Sequence, residues 1–192
     1  MDATIEPKLA PPGAGLPKIE LYVAHLLFAL QRLQGNRASF SVRFQKEREK
    51  IRILIGLCDA ESGTKRVLIK RVPGLEDSSR YWSVAMTLDH LRIIHNAITR
   101  TIEALAAGIV PKGTASTAKV KPSPQATMEV TSDYERSCDQ LLAAVAAVRD
   151  LKTSAQYAHP WFGPLDAAGW HALAAGHIKI HRVQIERILQ GL

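Results

Sequence analysis

Two histidines in the C-terminal part of the chain are the residues best suited to chemistry. His177 and His181 are four residues apart, and four residues of an α-helix turn through about 400°, so both imidazoles leave the same face. That face is an apolar stripe at helical spacing, made of Trp170, Leu173, His177, Ile180, His181, Gln184 and Ile188. Burying an imidazole without a partner costs roughly 1–3 kcal/mol. The stripe therefore predicts a buried partner, and a divalent metal ion would satisfy both rings at once.

A third histidine lies on a second apolar stripe. This stripe also has helical spacing and consists of Trp82, Met86, His90, Ile93 and Ala97. His90 is therefore expected to point inward and to complete a three-histidine site for Zn²⁺ or another imidazole-preferring ion such as Ni²⁺, with a position open for water or substrate. The alternative is three core histidines satisfied by backbone carbonyls or by Gln184. That glutamine is placed either to support the ring of His181 or to pack at the end of the helix.

The other polar residues near these stripes are expected to play smaller roles. His95 lies about 140° round the helix from His90, which predicts a solvent position. His171 is off the final stripe, and Asp89 is expected to be a solvated surface residue. His25 lies on an apolar face and is expected to be a satisfied core histidine.

Composition indicates one soluble domain. The 192 residues are 46% apolar and 22% charged, which is ordinary for a globular protein. Subtracting 18 acidic from 25 basic residues gives +7, but the basic residues are scattered among acidic ones, which favours a solvated face over a nucleic-acid-binding one. Cys58 and Cys138 lack metal or redox spacing and indicate free thiols in a reducing compartment.

The N-terminal region predicts a cytoplasmic protein with no membrane segment. It has no basic signal region, and the apolar run from Leu21 to Leu30 is too short to cross a bilayer. Residues 1–17, rich in proline and glycine, predict a flexible leader, and residues 18–192 predict one helical-bundle domain. An N-terminal helical segment begins near Ile19 and is broken at Gly35-Asn36.

Three further helices and one long connection are expected beyond this segment. Asp77 or Ser78 is expected to cap the helix of His90, which can continue to Ala107. Residues 108–127 form a long polar connection, which indicates a crossover or a functional flap. A helix from about Ser132 to Leu151 follows, and Asp166 is at the N-cap position of the last helix.

Three segments together resemble the DinB-like superfamily of four-helix-bundle metalloenzymes. The segment from Tyr81 to Leu91 has a Trp-Ser pair followed by a His-Leu pair, and the two C-terminal histidines are followed by Gln184-Ile185. The third segment, His-Pro-Trp-Phe-Gly-Pro-Leu at 159–165 followed by Trp170, is similar to one subgroup of unknown function. The resemblance covers roughly residues 40–190, and the joint placement of the segments is more specific than any one of them.

The resemblance implies an all-α, up-down-down-up four-helix bundle, commonly a homodimer, whose metal ligands are His90, His177 and His181. Relatives of known activity include transferases and isomerases that use bacillithiol or mycothiol, which implies a low-molecular-weight thiol as a second cofactor. The N-terminal helix and the 108–127 loop depart from the family. Because one fold hosts many chemistries, the resemblance does not transfer a reaction.

Two functional hypotheses follow, and a third is weaker. The first is a metal-dependent transferase or hydrolase, which activates a thiol or water for a small-molecule substrate in a pocket lined by Trp82, Met86 and Trp170, with His159 near its mouth. The second is a non-catalytic metal-binding or stress-response bundle, in which His25 or His159 would close the site as a fourth ligand. Nucleic-acid binding through the positive charge is the third.

Overall fold

The computed structural model describes residues 6–192, within which five α-helices and four short strands form. The helices are α1 (Lys18–Gln34), α2 (Arg37–Ile55), α3 (Val84–Ala106), α4 (Val130–Ala147) and α5 (Ala167–Gln190). The strands are β1 (Val67–Leu68), β2 (Tyr81–Trp82), β3 (Tyr157–His159) and β4 (Gly163–Leu165). Each pair of strands forms a small antiparallel ladder, β1 with β2 and β3 with β4.

Helices α2 to α5 form a four-helix bundle, so the predicted fold class is confirmed. Helix α3 packs on both α4 and α5, and α2 packs on α5. Each helix contributes apolar side chains at helical spacing to one shared core, which includes Phe44, Ile51, Leu88, Ile102, Tyr134, Leu141, Ile178 and Ile185. No helix among residues 6–192 is both long and apolar enough to cross a membrane.

Side-chain caps fix where two of the site-bearing helices begin. Asp166 caps α5 by accepting a hydrogen bond from the backbone N–H of Gly169, as predicted. The expected cap of α3 is wrong, because Asp77 and Ser78 belong to a separate 3₁₀ turn and Ser83 is the residue that accepts from Met86 N–H. The short strand β2 intervenes between the turn and the helix, so α3 begins several residues later than the turn.

The N-terminal helix α1 lies outside the bundle and is held by polar contacts and by the packing of Phe28 on Phe162. Glu20 pairs with Arg71, and Gln31 Nε2 donates to the Ala172 carbonyl at 3.1 Å. None of the side chains of α1 is buried. Its outer face is apolar and open to solvent, with Ile19 83% and Leu33 82% exposed. Helix α1 therefore packs on the outside of the bundle and is not part of its core.

The expected long connection between α3 and α4 is present and contains a single 3₁₀ turn, Ala118–Val120. We call residues 117–123 the strap, because they cross the bundle beside α3. Asp89 accepts hydrogen bonds from the Ser123 backbone N–H at 2.8 Å and from Arg92. Asp89 was expected to be a solvated surface residue, which is wrong, since only 6% of it is exposed. The strap covers it.

Candidate metal centre

The structure brings His90, His177 and His181 together. The Nε2 atom of His177 lies 3.1 Å from Nε2 of His181 and 3.4 Å from Nε2 of His90. The three candidate ligand atoms all lie within 4.8 Å of one another. Two side chains come from α5, one helical turn apart, and the third comes from α3, so the packing of α3 on α5 assembles the cluster.

Hydrogen bonds at the far side of two rings fix their protonation. His90 Nδ1 lies 2.6 Å from the Val120 carbonyl oxygen of the strap, and a carbonyl can only accept, so Nδ1 carries the proton. His181 Nδ1 lies 2.7 Å from Oε1 of Gln184, whose Nε2 donates to the Ser79 carbonyl at 2.7 Å. The amide orientation therefore makes Oε1 an acceptor, and His181 Nδ1 also carries its proton.

Lone pairs consequently converge at the centre of the cluster. With Nδ1 protonated, Nε2 of His90 and Nε2 of His181 are both acceptors, and both face Nε2 of His177. A single proton on His177 Nε2 can satisfy only one of them well. Nδ1 of His177 is buried and has no hydrogen-bond partner within residues 6–192. With the His177 proton on Nδ1 instead, three lone pairs meet at the centre, and a cation there would satisfy all three, which a hydrogen-bonded arrangement of neutral rings cannot do.

The spacing of these nitrogen atoms fits a metal ion. With Zn–N distances of about 2.0–2.1 Å, a tetrahedral ion separates its nitrogen ligands by about 3.4 Å, and facial octahedral ligands are separated by about 3.0 Å. Two of the three separations, 3.1 and 3.4 Å, lie within this range, and the third is no more than 4.8 Å. The cluster therefore fits the edge of either coordination polyhedron without requiring one metal.

Burial keeps the three imidazoles in the form that a metal requires. It lowers the pKa of His90, His177 and His181 well below the ordinary value of 6.5, and the neighbouring histidines lower it further, because two adjacent imidazolium ions repel each other. Neutral rings offer lone pairs at neutral pH, so binding a cation would not first require a proton to leave.

Aromatic and cationic groups enclose the cluster. Trp82 is 4% exposed, stacks on the ring of His181 with centroids 6.2 Å apart, and lies 5.2 Å from the ring centroid of His90. Lys121 of the strap lies 5.5 Å above the ring of Trp82 and pairs with Glu76 at 2.9 Å. The strap therefore positions His90, and the ion pair between Lys121 and Glu76 holds the strap beside that residue.

A cavity of about 900 Å³ adjoins the cluster, and all three histidines form part of its wall. Of the residues that sequence reasoning assigned to the pocket, Trp170 and His159 line it. Trp82 and Met86 are buried beside the cluster and are not among the wall residues. Helix α1 and the tip of the β3–β4 hairpin close the side opposite α3 and α5.

Two other histidines, His95 and His25, depart from expectation. His95 was expected in solvent, which is wrong: it is fully buried, with Nδ1 3.3 Å from Ser137 Oγ, because α3 packs on two neighbours and buries two faces. His171 is also fully buried, 3.3 Å from Ser41 Oγ. His25, expected in the core, is exposed and hydrogen-bonds the Trp161 carbonyl.

Sequence reasoning missed the strap as a partner of the site. The acceptor on His90 is a backbone carbonyl, so no side-chain type marks it in the sequence. The unusual length of the polar connection between α3 and α4 was the only signal, and it indicated a crossover or flap without indicating which residue reaches the site.

The fold is similar to that of a solved four-helix bundle. The crystal structure of TT2238, a four-helix bundle protein, is similar with a TM-score of 0.58 and 19% sequence identity, over 79% of this chain and 98% of that chain. No family profile matches the chain, and no curated protein matches it in sequence. The likeness to TT2238 concerns the fold, and the three-histidine cluster rests on the geometry described above.

Proposed function

We propose that this chain is a DinB-like metalloprotein in which His90, His177 and His181 hold one divalent cation, with Zn²⁺ or Ni²⁺ the favoured ions. The observation that carries this proposal is the convergence of lone pairs. Two of the rings have their outer nitrogen committed to a carbonyl or amide oxygen, which leaves their inner nitrogen atoms facing a third imidazole without enough protons to share.

The site has the composition of an open centre rather than a closed one. Structural zinc sites have four protein ligands, whereas catalytic sites keep three and leave one position for water or substrate. The candidate fourth ligands His25 and His159 are not members of the cluster, which within residues 6–192 contains three histidines. This supports the catalytic hypothesis over a purely structural metal, and the adjoining cavity gives a substrate a place to bind.

The proposed reaction class is a transfer to or from a low-molecular-weight thiol, and activated water is the alternative nucleophile. A bound Lewis acid would supply charge stabilisation and would lower the pKa of a coordinated thiol or water. The chain itself supplies position. Val120 and Gln184 hold the histidine rings, Trp82 excludes water from one side, and the cavity admits the second reactant. A cytoplasmic setting, which provides such thiols, completes the proposal.

The activity is tested with metal-loaded protein, small thiols and electrophilic acceptors such as aryl chlorides and epoxides. We expect thiol consumption with the loaded protein and none above background with the metal-free protein or with His177→Ala. His25→Ala serves as the matched control, because it removes a histidine outside the cluster. Equal rates in the loaded protein and in His177→Ala would refute metal-dependent transfer at this site.

A further inference from the structure

The cavity beside the histidines is long as well as large. Its wall along α3 begins at His90 and continues through Ile94, Ala97 and Thr101 to Ala104. These positions share one helix face, and fourteen residues of α-helix rise about 21 Å. The cavity therefore follows about four turns of α3 from the cluster, which is the shape of a channel with the three histidines toward one end.

The channel offers few free hydrogen-bonding groups along its length. The hydroxyl of Thr101 donates to the Ala97 carbonyl at 2.9 Å, and Nε2 of Gln31 donates to the Ala172 carbonyl at 3.1 Å. Apart from Arg100 and His159, the rest of its middle section is aliphatic or aromatic, with members such as Ala24, Phe28, Ile94, Phe162, Trp170 and Leu173. A sugar or nucleotide would lose its hydrogen bonds to water here without gaining protein partners, whereas an apolar chain has no such hydrogen bonds to lose.

Positive charge lies in the cavity wall near the histidines and also beside Thr101, where Arg100 lines it. Near the histidines, the cavity is lined by Lys119 and Lys179, which are both exposed. Neither has an ion-pair partner in the described part of the chain. The one carboxylate in the wall, Glu76, is already paired with Lys121. The field in the cavity therefore favours an anion.

We propose that the channel binds a fatty-acid-like molecule, with its apolar tail along α3 and α5 and its acidic head against the histidine cluster. This inference rests on the proposed function, since it names the ligand class of the same site. It requires two features together: a chain that fills the apolar section and an anionic head that reaches the histidine cluster. A polar molecule of the same length with an anionic head has only the second of these features.

The test measures binding of three probes to metal-loaded protein by calorimetry, each below its micelle concentration. Dodecanoate has both tail and anionic head, dodecyltrimethylammonium has the same tail and a cationic head, and acetate has the head alone. We expect dodecanoate to bind at least tenfold more tightly than the cationic probe and acetate to give no measurable binding. Equal affinity for the two long-chain probes, or no binding of dodecanoate, would overturn the proposal.

Variants that block the channel provide a second test of the proposal. Ala97→Trp places a large ring in the middle of the channel, and Ala143→Trp places the same ring on the exposed side of α4, which contributes nothing to the wall. We expect the first variant to weaken dodecanoate binding at least tenfold and the second to leave it unchanged. Circular dichroism and metal content establish that both variants are folded. A folded Ala97→Trp variant with wild-type affinity would contradict the proposal.

Failure of this inference is distinguishable from failure of the metal site. Metal content is measured independently on the same samples. Bound metal without dodecanoate binding would overturn the ligand class and leave the metal centre intact. Dodecanoate binding that Ala97→Trp blocks, in a protein that takes up no metal, would support the channel and refute the metal centre.

Discussion

Replacing Gln184 is the sharpest way to perturb the candidate centre without touching a ligand. Gln184 is fully buried and makes two hydrogen bonds of 2.7 Å, one to Nδ1 of His181 and one to the Ser79 carbonyl. Gln184→Met keeps most of the side-chain volume and removes both bonds. It leaves one buried donor and one buried acceptor unpaired, each at a cost of about 1–3 kcal/mol.

The expected loss has two parts. Removing the partner of a metal-binding histidine typically lowers metal affinity 10–100-fold, about 1.4–2.7 kcal/mol, because His181 is then free to rotate or to change tautomer. The metal-free protein should also lose about 2–6 kcal/mol of unfolding free energy. Affinity is measured by competition with a fluorescent chelator, and stability by urea unfolding.

Two further variants separate these effects. Gln184→Glu retains an acceptor for His181 but cannot donate to Ser79, so we expect reduced stability with metal affinity within a few-fold of the wild type. Ser137→Ala removes a partner of the buried His95, and we expect it to lower stability without changing metal affinity. Wild-type affinity in Gln184→Met would refute the role assigned to this glutamine.

Three other expectations concern buried groups outside the cluster. Burial lowers the pKa of His95 to about 3 and of His171 to about 4, so the unfolded chain binds more protons than the folded chain below pH 6.5. Urea unfolding should therefore show stability falling as the pH drops from 7 to 5, by up to about 1.4 kcal/mol per pH unit for each histidine. A stability that does not change with pH over this range would contradict this expectation. The buried Tyr134 hydroxyl has only the Cys138 thiol as a weak partner within residues 6–192, so Tyr134→Phe should raise the unfolding free energy by about 1 kcal/mol, whereas a clear loss would reveal a stronger partner. Burial raises the pKa of the Cys138 thiol to about 12. Iodoacetamide should therefore alkylate the half-buried Cys58 before Cys138, as mass spectrometry would show. Equal alkylation rates at the two cysteines would contradict the burial of Cys138.

The apolar stripes of α3 and α5 made much of the site predictable. Helical spacing alone placed His177 and His181 on one face and His90 on an inward face. The helix break at Gly35-Asn36 and the cap at Asp166 were local signals of the same kind, and both were confirmed. These features depend on one helix at a time, which is what periodicity in a sequence can report.

The features that were missed depend on packing between elements. His95 was expected in solvent because one stripe was read on α3, although the helix buries two faces in the bundle. The strap contributes a backbone carbonyl that accepts a hydrogen bond from His90. No residue type in the sequence indicates such a carbonyl. Helix α1 has the apolar composition of a core element, yet it borders the cavity and keeps an exposed outer face, so its helical pattern was predictable and its position was not.

The most direct test of the central claim is the metal content of the purified protein, prepared without a histidine tag, reloaded with Zn²⁺ or Ni²⁺ and dialysed before elemental analysis. We expect about one equivalent of a divalent ion in the wild type and in His25→Ala, and none in His177→Ala. No metal in the reloaded wild type, or the same content in His177→Ala, would contradict the claim that these three histidines form a metal centre.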